Sequence, residues 1–255
     1  MKSEIDEKDA IEGMIEGRNA VNEALRAGRV INKVFFARSD NDGILMHIAM
    51  RAKEAGAVII ECDRRKLDSM SETGAHQGII ALAAAHDYAS ISDILKLAEE
   101  SGRPPLVVVC DELSDPHNLG AIIRSAEVAG AHGIIIPKRR SVSLTAVVEK
   151  AAAGALAYVP VARVPNTTAA IKELKEAGLW VYGTTGDDES TCLYDADLKG
   201  PIAIVIGSEG EGMGRLVREN CDFTIKIPMA GKIESLNASA AAAVVLFEAV
   251  RQRMI

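Results

Sequence analysis

Four stretches of this 255-residue chain combine polar side chains with a preceding or following apolar run, and they are where chemistry is to be sought. In the first, the apolar run Leu106–Cys110 empties into Asp111-Glu112-Leu113-Ser114-Asp115-Pro116-His117-Asn118. Asn118 can cap a following helix or point into a pocket. Arg124 lies among Ala121, Ile122, Ile123 and Ala126; a guanidinium there either snorkels to solvent or faces a polar site. His117 reads as a base or as a solvated turn residue. The second stretch, Gly207-Ser208-Glu209-Gly210-Glu211-Gly212-Met213-Gly214, follows the apolar run Ile202–Ile206. Its glycines let backbone approach a ligand closely, and Glu209 is either a solvated carboxylate or one aimed into a pocket. The spacing is neither GxGxxG nor GxxxxGK[ST] nor GxSxG, which argues against the dinucleotide, P-loop and nucleophile-elbow readings. The third is Ile225-Lys226-Ile227-Pro228-Met229-Ala230-Gly231. In the fourth, Glu234-Ser235-Leu236-Asn237-Ala238-Ser239, the polar residues are helix caps or ligand contacts.

These loops need a scaffold. From residue 106 onward, strand patterns at 106–110, 133–136, 157–163, 179–184, 202–206 and 225–228 alternate with helical patterns at 119–129, 146–152, 167–176 and 237–253. Such alternation predicts an α/β domain with a mostly parallel sheet covered on both faces, whose ligands sit beyond the carboxyl ends of the strands. Residues 11–85 predict a smaller α/β domain: helices at 19–27, 44–55 and 66–71, strands at 33–37, 58–61 and 78–84. Residues 1–10 are charged and read as a flexible lead-in, and 86–105 as a linker carrying an amphipathic connecting helix broken at Gly102-Arg103-Pro104-Pro105.

Composition narrows the class. The longest apolar run, Ala240–Phe247, is too short to span a bilayer, and no secretory h-region is visible. Cys62, Cys110, Cys192 and Cys221 lie far apart without metal-ligand spacing. Reduced thiols, a cytoplasmic location, no metal and no membrane association are expected. The net charge of −7 means that any nucleic-acid contact uses local patches, such as Arg64-Arg65-Lys66, Lys138-Arg139-Arg140 or Gly17-Arg18-Asn19. Aromatic residues are only 4% of the chain, which disfavours base stacking on a single-stranded platform and favours a folded RNA read by shape.

Taken in order, NLGAIIRSAEVAGAHGIII, IGSEGEGMG and IPMAGKIESLNASAAAAVVLFEAVRQR resemble the three signature motifs of the SpoU (TrmH-type) RNA ribose 2′-O-methyltransferases of the SPOUT class, over about residues 106–253. IEGRNAVNEALRAG and the HQGIIA stretch resemble the small substrate-binding domain that precedes it in many members. The resemblance implies a trefoil knot, which no strand pattern reveals, and a homodimer with its active site beside the interface. It implies S-adenosylmethionine as cofactor, contacted by Thr184, Thr185, Gly186, Gly207, Ile227 and Leu236. It places Asn118, Arg124, Glu209, Ser235 and Asn237 around the reacting ribose 2′-hydroxyl, with Asn118 and Glu209 orienting Arg124 and with Ser235 and Asn237 shaping the pocket. Arg124 is then either the base, as the family is held to use it, or a phosphate grip that stays protonated. The implied substrate is a guanosine of 23S ribosomal RNA. Transfer RNA methylation and non-catalytic RNA binding are the alternatives.

Overall fold

The structure, a computed structural model, describes residues 13–37, 43–210, 212–233 and 235–254. The lead-in 1–10, and with it Ile11, Glu211 and Glu234, lies outside the described residues. Contacts divide the chain into one unit of Met1–Asp87 with Ser143–Val147 and a second of Tyr88–Val142 with Val148–Ile255.

The smaller unit is a four-stranded sheet in the order β1-β4-β2-β3, built from β1 (Met14–Glu16), β2 (Ile31–Ala37), β3 (Val58–Cys62) and β4 (Ile79–Ala83). β2 pairs in parallel with β3 and antiparallel with β4. Helices α1 (Arg18–Arg26), α2 (Gly43–Glu54) and α3 (Arg64–Met70) complete it. α2 buries Leu45, Ile48, Ala49 and Ala52, the one-sided spacing of a helix lying on a core. They cluster with Val21, Val34, Phe36 and Ile79.

The larger unit holds a seven-stranded sheet in which every pairing is parallel, in the order β7-β6-β5-β10-β8-β11-β9. Its strands are β5 (Leu106–Cys110), β6 (Gly133–Pro137), β7 (Val161–Val164), β8 (Trp180–Thr184), β9 (Thr191–Cys192), β10 (Ile202–Ile206) and β11 (Phe223–Lys226). Every residue of β5, β6 and β10 is buried, as expected of strands covered on both faces. The helices are α4 (Ile91–Ser101), α5 (Pro116–Val128), α6 (Ala146–Ala152), α7 (Thr167–Glu176), α8 (Arg215–Asn220) and α9 (Ala238–Arg253).

Two expectations need correction. Residues 88–105 are part of the larger unit rather than a linker. α4 starts with a Ser90–Asp93 capping box and buries Ile91, Ile94 and Ala98. Ile94 lies so close to β6 that a Cβ on Gly133 would stand 2.4 Å from its Cγ1. The break at Gly102 is the left-handed C-cap of that helix, φ 65°, and Arg253 then fastens the Pro104 and Pro105 carbonyls at 3.0 Å each. The strand expected at 157–163 begins only at Val161, because Gly154 (φ 88°) opens a 3₁₀ turn at Ala155–Ala157 instead.

Candidate active site

β5, β10, β8 and β11 are consecutive neighbours in the sheet and all parallel, so the segments leaving them emerge on one edge. The loop after β10 is built to fold back on itself. Ser208 and Gly212 exchange backbone hydrogen bonds at 2.9 and 3.1 Å, and a Cβ at Gly207 would lie 2.4 Å from the Gly212 carbonyl carbon. Only glycine fits at that approach. Asp111, buried at the end of β5, accepts the Gly214 N–H at 2.9 Å and ties the far end of the loop to the neighbouring strand. The Met213 side chain covers Gly183 of β8, where a Cβ would meet its Cε at 2.6 Å.

Within this frame three expected residues meet. Asn118, in the first turn of α5, is buried and donates from Nδ2 to Glu209 Oε1 at 2.9 Å. Asn237 donates from its own Nδ2 to the same Glu209 oxygen at 2.6 Å and to Asn118 Oδ1 at 2.9 Å. The Ala238 N–H adds a fourth contact to that Oε1–amide cluster, at 3.3 Å. Asn237 also caps α9, its Oδ1 accepting from the backbone of Ser239 and Ala240 and from the Ser239 hydroxyl. The cap and pocket readings of Asn237 therefore both hold, each amide atom serving one. Asn118 is not the cap of α5. Asp115 fills that place, accepting the His117 N–H at 2.8 Å, which leaves the Asn118 amide for the network. α9 packs on α5, and this contact brings Asn237 to Asn118.

Arg124 stands apart. It is exposed, and among the described residues it has no hydrogen-bond or ion-pair partner. Asn118 and Glu209 bond to each other and to Asn237, not to Arg124. Helix geometry gives the reason: six residues along α5 turn a side chain about 120° away and carry it about 9 Å onward. Ser235 is likewise exposed and without a hydrogen bond among the described residues, and His117 is exposed.

The residues expected to hold a cofactor lie at the adjoining strand ends. Thr184 donates its hydroxyl to the Val205 carbonyl at 2.9 Å, locking β8 to β10. The Thr185 N–H donates to Ile225 O at 3.0 Å, and its hydroxyl accepts from the Asp187 N–H at 3.2 Å. Arg218 of α8 pairs with Asp187 at 2.5 Å, holding that turn. Gly186 is exposed, Gly207 and Ile227 are half-buried, and Leu236 is 40% exposed. Asp111 and Met213, which no motif singles out, position the glycine loop. A lone aspartate directly after a wholly buried strand is the signal that could have found the first.

Two thiols near this edge are inert. Burial, reinforced by the adjacent Asp111, pushes Cys110 up to about 12, and burial with Asp222 does the same to Cys221. Neither supplies a thiolate nucleophile at neutral pH. No cluster of metal-ligating side chains is found among the described residues, and no helix there is long and apolar enough to cross a membrane.

Comparison with known proteins converges on the same site-bearing sheet. Residues 105–247 match the SpoU rRNA methylase family, and residues 14–89 match the RNA 2′-O ribose methyltransferase substrate-binding domain. A Bacillus subtilis (strain 168) protein named within the TrmH family of tRNA/rRNA methyltransferases, YacO, is 48% identical over 93% of this chain and 94% of its own. Among solved structures, the SpoU methyltransferase AviRb of Streptomyces viridochromogenes in complex with AdoMet is 26% identical, with a TM-score of 0.58 over 94% of this chain and 90% of that one. The AdoMet-bound rRNA methyltransferase of Sinorhizobium meliloti is also 26% identical at a TM-score of 0.58, over 93% and 86%. The parallel sheet, its loop edge and the smaller unit ahead of it are thus those of an RNA methyltransferase. The chain belongs to the SpoU (TrmH-type) family.

Proposed function

We propose that the protein transfers a methyl group from S-adenosylmethionine to a ribose 2′-hydroxyl of RNA, that the substrate is a guanosine of 23S ribosomal RNA, and that it acts as a cytoplasmic homodimer. The observation that carries this reading is the shared Glu209 oxygen, which gathers Asn118 and Asn237 from two helices at the loop edge of the sheet. The AdoMet-bound neighbours support the cofactor, and the match of residues 14–89 to a 2′-O ribose methyltransferase substrate-binding domain supports the ribose target.

The residues present fit an adenosyl cofactor. Its adenine needs an apolar slot edged by peptide groups. The glycine-rich backbone after β10 and the turn after β8 offer such groups, while Met229, Ile233 and Leu236, all on the segment after β11, expose apolar side chains. When bound, S-adenosylmethionine supplies an electrophilic methyl carbon. The chain's own part is orientation. The Asn118–Glu209–Asn237 network fixes the amide groups in one arrangement before RNA arrives, which removes reorganisation from the reacting complex. Arg124, exposed and unpaired within the described residues, is available to grip an RNA phosphate with two parallel N–H donors. Such a grip would hold the adjacent 2′-oxygen in line and stabilise charge developing on it.

Mapping 2′-O-methyl positions in ribosomal and transfer RNA from cells with and without the protein tests the reading. Loss of one guanosine methylation in 23S RNA is expected. Loss confined to transfer RNA would replace the substrate, and no loss in either would end the proposal.

A further inference from the structure

Two basic segments that the sequence keeps far apart come together in the smaller unit. Arg18 and Asn19, at the start of α1, and Arg64, at the start of α3, line one cleft of about 460 Å³ together with Gln77. No carboxylate is among these lining residues, in a chain whose net charge is −7. We propose that this cleft binds an RNA phosphodiester, Arg18 and Arg64 taking the phosphate and the amides of Asn19 and Gln77 facing the neighbouring sugar. The inference rests on the proposed RNA substrate and assigns the residues that dock it.

The cleft is built for something other than stability. α3 opens with Arg64-Arg65-Lys66 and has no acidic residue in its first turn, although cations at a helix N-terminus oppose the helix dipole. Arg64 and Arg65 are exposed and have no partner among the described residues. Asp63 caps the helix through the Lys66 N–H at 2.7 Å and so spends its carboxylate on the backbone.

The opposite wall is held rigid. Gln77 adopts a left-handed backbone, φ 51°, which a non-glycine residue takes up only under constraint. The constraint is visible on both sides. Buried His76 accepts the Gly78 N–H on Nδ1 at 3.0 Å and bonds Asp68 through Nε2 at 2.9 Å. Glu16 accepts from the Ser71 hydroxyl, the Glu72 N–H and the Thr73 hydroxyl at 2.5, 2.8 and 2.6 Å. So placed, Gln77 receives the Arg18 Nε–H on its carbonyl at 3.0 Å and the Arg18 backbone N–H on its side chain at 3.2 Å. One guanidinium is thereby fixed before any ligand binds, while Arg64 stays free to close on it. A phosphate suits a bidentate fork, and an amide beside it can meet the 2′-hydroxyl that separates RNA from DNA.

The test uses the full-length protein and three probes: an unmodified 23S ribosomal RNA transcript, bulk transfer RNA, and single-stranded DNA of the transcript's sequence. Affinity is measured against salt for the wild type, Arg64→Gln and the control Arg29→Gln, with melting temperature checked for each. Removing one phosphate contact lowers the slope of log affinity against log salt by about one. The expected result is that loss for Arg64→Gln alone, with an unchanged melting temperature, a raised KM for RNA and an unchanged kcat. Equal affinity and slope in Arg64→Gln and wild type would overturn the cleft, as would wild-type protein that binds no RNA or binds the DNA equally well. RNA binding that depends on Arg64 without any methyl transfer would leave the cleft standing and refute the proposed activity instead.

Discussion

Asn118 and Asn237, 119 residues apart in the chain, are hydrogen-bonded side chain to side chain at 2.9 Å. Glu209 Oε1 accepts from both. Asn118 commits both amide atoms to this network and Asn237 its Nδ2, while the Asn237 Oδ1 caps α9; the carboxylate charge is what makes two of those bonds strong. Residues from the first turn of α5, the loop after β10 and the start of α9 are made rigid by one another.

Replacing Glu209 by Gln removes that charge while keeping the shape. A charge-assisted hydrogen bond is worth about 1.5–3 kcal/mol, so methyl transfer should fall roughly 10- to 100-fold, a decade for each 1.4 kcal/mol. Single-turnover rates on a transcript that the wild type modifies would measure it. A variant within twofold of wild type would mean that the network is only structural.

Arg124→Ala should abolish methyl transfer and leave the fold untouched. An exposed side chain without partners among the described residues contributes within about 0.5 kcal/mol of stability, which in a protein of this size moves the melting temperature by about 2 °C or less. Calorimetric titration should also find S-adenosylmethionine affinity retained. Near-normal activity in the variant would remove Arg124 from the site.

Two glycine substitutions in one loop should behave differently. Gly207→Ala drives a Cβ to within 2.4 Å of backbone at Gly212 and must open the loop, so S-adenosylmethionine binding should be lost. Gly210→Ala meets nothing within 4 Å and pays only for a positive φ of 92°, a cost of about 1–3 kcal/mol; binding should weaken modestly. Titration calorimetry on both separates steric closure from strain.

The acid limb of stability should carry a contribution from Glu248. Hydrogen bonds from Arg251 and then Gln252 hold its carboxyl down at about 2, against 4.5 for the free group. A depressed folded-state value means that the stabilisation is fully present above pH 4.5 and drains away as pH falls toward 2. The melting-temperature gap between wild type and Glu248→Gln should therefore be constant from pH 7 to 5 and close below pH 4.5. A gap that persists unchanged at pH 3 would contradict the assignment.

Much of this was legible because burial on both faces leaves an unmistakable trace. Leu106–Cys110 and Ile202–Ile206 are unbroken apolar runs, and they are β5 and β10 residue for residue. β1 escaped because three half-buried residues carry no period, and only antiparallel pairing with β4 makes them a strand. α8 escaped because six residues with a single buried Val217 show no stripe. At the site, Asn118, Glu209 and Asn237 were legible as polar residues in loops that leave buried strands or open a helix. Their mutual bonding was not, since it depends on α9 lying against α5. Among the described residues Asn118 and Glu209 make no bond to Arg124, because closeness in sequence along a helix is not a shared face.

The pairing of β5 with β10 sets a timetable for biosynthesis. Leu106 leaves the ribosome long before Ile202, its neighbour in the finished sheet, and at about 5–20 residues per second the nascent chain waits on the order of 10 s for that partner. During the wait a strand made wholly of Leu, Val and Cys has one side unclaimed. β6 takes only the opposite edge of β5, so whatever shelters the edge kept for β10 governs how much of the newly made protein escapes aggregation.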